Sequence, residues 1–235
     1  MSSATIRDNL QAVQEKIADA AAKAGRQSDE ITLVGVSKTH PASAIQEAYV
    51  AGLRHFGENR VQEWEGKRGE VASLDATWHL IGHLQSNKAA RAAKAFHCID
   101  SIDDGPLAQR VERAVAEGSG ENKMRLLIEV HLGGEESKTG AAEIDLPALA
   151  EQIVRLSHVE LGGLMCIPPY LEDMDKVRPF FARLRELRDQ LVTRIGQALP
   201  VLSMGMSHDF EAAIQEGATE VRVGTAIFGI RPAAK

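Results

Sequence analysis

The strongest constraint on the fold is an alternation that runs the length of this 235-residue chain: short β-rich runs, each followed by a stretch with helical spacing. The β-rich runs fall at 31–38 (ITLVGVSK), 54–57, 77–81, 98–102, 125–130, 159–165, 201–204 and 220–223. Helical stretches are predicted at 41–51, 61–74, 87–95, 106–117, 146–157, 177–199 and 210–215, and a short GTAIFG segment follows the last run. Repeated βα units build a parallel sheet. Eight of them in this length predict a closed (β/α)₈ TIM-type barrel. Counting alone leaves a doubly wound open sheet as the alternative. An additional N-terminal helix over 5–24 precedes the first unit, with Ile6, Leu10, Val13, Ile17 and Ala21 at spacings of three and four and Gly25 as its stop. No linker or internal repeat interrupts the pattern, so residues 1–235 are expected to form a single domain.

Composition narrows the function. Hydrophobic residues are 44% and charged residues 26%, enough to bury a sizeable core. The net charge of −6 gives no bulk attraction for nucleic acid or an anionic membrane. A phosphate ligand would therefore need a local site. Aromatics, at 4%, are too few for base-stacking platforms. Cys98 and Cys166 lie far apart and are expected as buried thiols in a reducing compartment. The N-terminus lacks the apolar core of a signal peptide, and no run approaches a membrane span. A cytoplasmic monomer is the expectation.

In a (β/α)₈ barrel, functional groups sit where strands end and loops begin. Lys38 closes the first apolar run. An amine there would leave a buried wall, lose solvation and deprotonate more easily. Such an amine forms a Schiff base with an aldehyde. A lysine snorkelling at a strand end is the plainer alternative. The loops after strands seven and eight form the usual phosphate site of this barrel. Here they carry Gly205, Ser207, Gly224 and Thr225: glycines that let backbone N–H groups approach an anion, hydroxyls that donate to it, and a helical turn opening at Thr225. Ordinary loop glycines with capping hydroxyls would look the same. Arg222 shares a strand face with Gly224, so it either points into the mouth or sits in a structural ion pair. Asn59 and His83 lie on neighbouring mouth loops, each able to bond a ligand oxygen or tie down a loop. Lys138, in a Gly- and Glu-rich loop, is either a solvated lysine or a gate. His79, His97, His131 and His158 show no metal spacing, so no metal is expected.

These residues stand in a series of ordered motifs: VGVSKTHP (34–41), HFGENRVQE (55–63), WHLIGHLQSNK (78–88), IDSID (99–103), ESKTG (136–140), GLMCIPP (163–169), LSMGMSHDFEAAI (202–214) and VRVGTAIFG (221–229). Through them nearly the whole chain resembles the pyridoxal 5′-phosphate (PLP) homeostasis proteins, the YggS/PROSC group. Their barrel is similar to the alanine racemase N-terminal domain of fold-type III PLP proteins. The resemblance implies that Lys38 holds PLP as a Schiff base. It also implies that Ser207, Gly224 and Thr225 bind the phosphate with backbone help from Met206, that Arg222 faces the pyridine nitrogen and that Asn59 lines the ring. Gly133-Gly134 departs from the more polar stretch expected in that loop.

A guanidinium is a permanent donor and keeps the pyridine nitrogen unprotonated, which weakens the ring as an electron sink. Racemisation also commonly needs an acid/base on the opposite face; in alanine racemases it is a tyrosine from the partner's C-terminal domain. Here the sequence ends soon after strand eight, and neither Tyr49 nor Tyr170 is expected at an obvious mouth position of the kind a facing acid/base requires. The expectation is a PLP-holding protein that buffers the cofactor or delivers it to PLP-dependent apoenzymes, without developed catalysis. A small PLP-dependent amino-acid racemase is the alternative. A Schiff-base aldolase acting on phosphorylated sugars is the reading that needs no PLP.

Overall fold

The computed structural model describes residues 5–118, 123–133 and 139–229. Eight parallel strands hydrogen-bond in chain order and close on themselves: β1 (Thr32–Val36), β2 (His55–Glu58), β3 (Thr77–Leu80), β4 (Cys98–Ile102), β5 (Met124–Glu129), β6 (Val159–Met165), β7 (Val201–Ser203) and β8 (Glu220–Val223). The closing pair is β1 with β8, in register from Thr32 opposite Glu220 to Gly35 opposite Val223. That pairing removes the open-sheet alternative. The outer layer among the described residues is α1 (Ile6–Lys23), α2 (Ala42–Val50), α3 (Val61–Lys67), α4 (Ala89–Ala95), α5 (Gly105–Ala116), α6 (Leu146–Val154), α7 (Met174–Ile195), α8 (Phe210–Gln215) and the single turn α9 (Thr225–Phe228).

Local chemistry sets the element ends. A reciprocal capping box starts α1: the Asp8 amide donates to Thr5 Oγ1 at 3.2 Å, and the Thr5 amide donates to Asp8 Oδ2 at 3.1 Å. The apolar stripe of α1 (Leu10, Val13, Ile17, Ala20 and Ala21) is buried, and Asn9 donates to the Ile227 carbonyl at 3.0 Å. The added helix therefore packs beside the last βα unit, over the barrel seam. The helix expected over 61–74 stops at Lys67 and continues as a 3-10 turn over Arg68–Val71, where Gly66 and Gly69 weaken α-helix propagation. The helix expected over 177–199 begins earlier and ends earlier. Asp173 caps it by accepting from the Asp175 amide at 3.0 Å, and Gly196 ends it in the left-handed conformation at φ 67°. The helix expected over 146–157 ends at Val154.

The first strand also departs from expectation. It ends at Val36 instead of continuing through Lys38, because Ser37–His40 forms a turn closed by the His40 amide on the Ser37 carbonyl at 3.1 Å. The third residue of that turn, Thr39, has φ 67°, a conformation that glycine or asparagine usually takes.

Strand alternation divides the core. On the outer face Phe56 of β2 stacks on Trp78 of β3, with centroids 5.1 Å apart. Trp64 of α3 lies 4.1 Å from Trp78, and its indole N–H donates to the Ala95 carbonyl at 2.8 Å. Gly35 packs tightly on the outer face of the seam: a Cβ there would collide with Leu53. Cys98 and Cys166 are both buried and free, and burial pushes both thiols up to about 12.

Candidate functional site at the barrel mouth

Seven of the eight residues singled out in the sequence line one cavity of about 260 Å³ at the C-terminal ends of the strands: Lys38, Asn59, Met206, Ser207, Arg222, Gly224 and Thr225. The fold brings them there from the two sides of the seam. Lys38 follows β1, while Arg222 lies in β8, paired through its register with Val34. Val36 and Ile81 supply apolar wall.

Arg222 is 3% exposed yet borders the cavity. Its Nη1 donates to Ser203 Oγ at 2.6 Å and its Nη2 to the Cys166 carbonyl at 2.8 Å. Both acceptors are neutral, and among the described residues Arg222 makes no salt bridge. The structural ion pair considered for it in the sequence is therefore not formed. A buried guanidinium held this way keeps its charge and further N–H donors for an acceptor inside the cavity.

Ser207, Gly224 and Thr225 form the adjoining polar cup. The Gly224 amide donates to Ser207 Oγ at 3.2 Å, so the two loops already meet through a hydroxyl that can turn to an anion. Thr225 opens α9, and the first amides of a helical turn have no partner within it. Gly205 allows the close approach of this loop to α8: it has φ 95°, and a Cβ there would stand 2.9 Å from Phe210 Cα. The backbone donor expected from Met206 is already committed, because its amide donates to Asp209 Oδ1 at 2.6 Å. Met206 contributes cavity wall instead.

His83 lies apart from these seven. It is exposed, with Nδ1 3.3 Å from Asp103 Oδ2, in a neighbouring groove that meets the cavity at Asn59. Lys138 lies outside the described residues. Sequence reasoning missed Tyr170 and His208. Both line the cavity, with rings 4.5 Å apart, which corrects the expectation that neither tyrosine stands near the mouth. The GLMCIPP motif ends one residue before Tyr170, and LSMGMSHDFEAAI includes His208, so the signal was adjacent in both cases.

The donor set fits a phosphorylated aldehyde with a ring acceptor: one amine, one hydroxyl-rich cup and one buried cation around a single cavity. The comparisons with known proteins agree with that class. The chain matches the alanine racemase N-terminal domain family over residues 8–232. It also matches the pyridoxal phosphate homeostasis protein of Aquifex aeolicus at 46% identity, over 95% of this chain and 97% of that protein. The protein of the same name from Pseudomonas aeruginosa is 45% identical, over 97% of this chain and 96% of its own length. Among solved structures, PipY of Synechococcus elongatus determined with PLP bound is 42% identical, with a TM-score of 0.81, over 91% of this chain and 100% of PipY. The alanine racemase of Clostridium difficile shares only the fold, at 14% identity and a TM-score of 0.74, and this chain spans 57% of it. The chain is thus an alanine racemase-type barrel. Within that class it belongs to the pyridoxal phosphate homeostasis protein family.

A second polar cluster fills the opposite end of the barrel, where the strands begin. The ligating atoms of His79, Asp100 and Glu220 lie within 4.8 Å of one another, a proximity that no sequence spacing announced. Arg125 stands among them, with Nη2 3.0 Å from Glu220 Oε2. His79 Nδ1 is 2.9 Å from Asp100 Oδ2. Burial alone would lower the His79 pKa, yet Asp100 and Glu220 outweigh it and hold the value above the ordinary range. The two carboxylates thus favour the protonated form of His79, and Arg125 adds a fixed positive charge beside them. His79 Nε2 lies 3.1 Å from His55 Nδ1, within hydrogen-bond distance. His55 is pushed down to about 4 by burial first, then by His79 and Arg125, against a smaller opposing pull from Asp100.

Because the folded His55 binds its proton less tightly than the unfolded one, protonation near pH 6.5 favours the unfolded chain. Stability drawn from neutral His55 is complete above about pH 6.5 and is lost as pH falls toward 4. His55→Asn keeps an acceptor for His79 but takes up no proton. Its thermal midpoint is expected to fall less steeply than that of the wild type between pH 6.5 and 4. Parallel curves would contradict the assignment.

Proposed function

We propose that this chain is a PLP-holding protein that buffers the cofactor or hands it to PLP-dependent apoenzymes, with no developed catalysis of its own. The observation that carries the reading is Arg222: a buried cation that, among the described residues, hydrogen-bonds only neutral acceptors, beside a cavity that also presents Lys38 and the Ser207, Gly224 and Thr225 cup. The family's homeostasis name and the PLP in PipY support it.

PLP, when bound, supplies an aldehyde for an amine and an aromatic ring that can accept electrons. Lys38 provides the amine and would hold the cofactor covalently. Ser207 and Thr225 provide hydroxyl donors for the phosphate, and Gly224 lets the backbone come close. Asn59 would border the ring. Arg222 would donate to the ring nitrogen and keep it unprotonated, which would leave the ring a weak electron sink. His83, on the adjoining groove, falls outside this inner set. The chain acts as a cytoplasmic monomer in this reading.

One observation favours the racemase alternative. Tyr170 and His208 stand at the cavity, and either could move a proton. Tyr170, however, is 71% exposed. An acid/base so open to water lacks the excluded environment in which such groups work well.

The purified protein loaded with PLP should be yellow. Borohydride should fix a pyridoxyl group on the Lys38 peptide, and Lys38→Ala should abolish that label while preserving the fold. D-amino-acid formation from common L-amino acids should stay at background. A label on another lysine would displace Lys38, and steady turnover that Lys38→Ala abolishes would establish the racemase.

The phosphate assignment has its own test. Ser207→Ala or Thr225→Ala removes a hydrogen bond to a charged group, worth about 1.5–3 kcal/mol. PLP should bind roughly tenfold more weakly or worse, while pyridoxal, which lacks the phosphate, should be little affected. Equal losses for both ligands would contradict the cup.

A further inference from the structure

We propose that Lys67 is a positioning residue for Lys38: a buried ammonium on α3 that locks the turn presenting the attachment amine. The proposal rests on the reading that Lys38 takes the cofactor, and it extends that reading to a residue with no contact to the cavity.

Lys67 is only 9% exposed, an uncommon burial for a lysine. Its Nζ lies 2.8 Å from Glu58 Oε1, 3.0 Å from the Ser37 carbonyl and 3.2 Å from the His40 carbonyl. Those two carbonyls belong to the first and last residues of the Ser37–His40 turn. One ammonium therefore grips both ends of the turn and ties them to the end of β2. Glu63 Oε1 stands further off, at 3.4 Å. It accepts from the amide of Thr39, the turn's left-handed residue. Ser37 Oγ donates to Glu58 Oε1 at 2.6 Å. The turn is thus held at the hydroxyl and carbonyl of its first residue, the amide of its third and the carbonyl of its fourth.

Strand alternation explains the division of labour. Val36 and Lys38 face the cavity, whereas Ser37 faces outward to Glu58 and α3. The clamp works from behind the wall through which Lys38 enters the cavity. It also fits the strain in the turn. A β-branched residue at φ 67° persists only when its surroundings over-determine it. Lysine suits this place because its three N–H donors diverge from a point charge toward three acceptors, one on β2 and two on the turn, which the planar fork of arginine cannot do.

The test separates positioning from mere stability. Lys67→Met combined with Glu58→Gln removes the clamp without leaving a buried carboxylate unpaired. Glu63→Gln is a milder variant that weakens the grip on Thr39 and the longer Lys67–Glu63 contact while leaving Glu58 and the two carbonyls on Lys67. Lys67→Arg keeps the charge but not the geometry. Three quantities are measured: the thermal midpoint of the apoprotein, amide hydrogen exchange at Lys38, Thr39 and His40 in the apoprotein, and the rate of PLP attachment, trapped with borohydride and mapped.

In the clamp-free double variant, exchange at these amides should rise about a hundredfold as the turn opens locally. Attachment to Lys38 should slow by about tenfold or more, because a misaimed amine loses its approach geometry. Glu63→Gln should slow attachment by a few-fold with an unchanged midpoint, and Lys67→Arg should behave like the double variant. Thr39→Gly in the double variant should recover part of the lost rate, since glycine takes the left-handed conformation without penalty. If the double variant does not fold, Glu63→Gln and Lys67→Arg decide the question. Wild-type attachment rates in the folded variants would overturn the clamp. A wild-type label away from Lys38 would instead overturn the underlying reading, so the two failures are distinct.

Discussion

The closure of β1 onto β8 is the constraint on which the rest of this molecule depends. The pairing from Thr32–Glu220 to Gly35–Val223 sets the register of the seam, and the register decides what meets at the mouth. Lys38 and Arg222 are 184 positions apart in the chain but become neighbours on one cavity. The short helical turn after β8 and the loop after β7 then bring their hydroxyls to the same space. A rigid barrel fixes these groups before any ligand arrives, so binding need not order them. Packing α1 beside the last unit covers the seam from outside.

The two ends of the barrel hold their arginines in different ways. Where the strands begin, Arg125 and His79 are paired with Glu220 and Asp100. Where the strands end, Arg222 hydrogen-bonds, among the described residues, a hydroxyl and a carbonyl, with the buried Glu129 near enough to feel its charge. A buried cation costs several kcal/mol unless something compensates it. That Arg222 hydrogen-bonds no carboxylate among the described residues is what supports the proposed ligand site at this end. In the proposed reading the same guanidinium sets the limit on chemistry, since a permanent donor at the ring nitrogen would hold the group without activating it.

Much of this was legible in the sequence, for identifiable reasons. The eight strand positions followed from β-rich runs punctuated by glycine and proline, and β4 and β6 match in full. The meeting of Ser207, Gly224 and Thr225 at one cavity was legible because glycines and hydroxyls recur at the ends of strands seven and eight. Helix ends were less legible. Gly66 and Gly69 turn the end of α3 into a 3-10 turn, and Gly196 stops α7 three residues before Leu199, outcomes that depend on local backbone conformation. Tyr170 and Lys67 were missed for a different reason. Each acts through the shape of a loop or a buried contact, and neither leaves a periodic or spaced signal. The Met206 amide was misjudged because Asp209, three residues later, competes for it. His83 was placed by strand order alone, which does not distinguish the inner cavity from the groove beside it.

The central claim is that Arg222 makes this a holder of PLP and not a catalyst, by keeping the ring nitrogen unprotonated. It is tested most directly by ¹⁵N NMR of the protein loaded with PLP labelled at the pyridine nitrogen. The account predicts a resonance in the range of a neutral, hydrogen-bonded pyridine, unchanged as pH falls from 8 to 6. A resonance in the pyridinium range, or one that titrates within that interval, would contradict it.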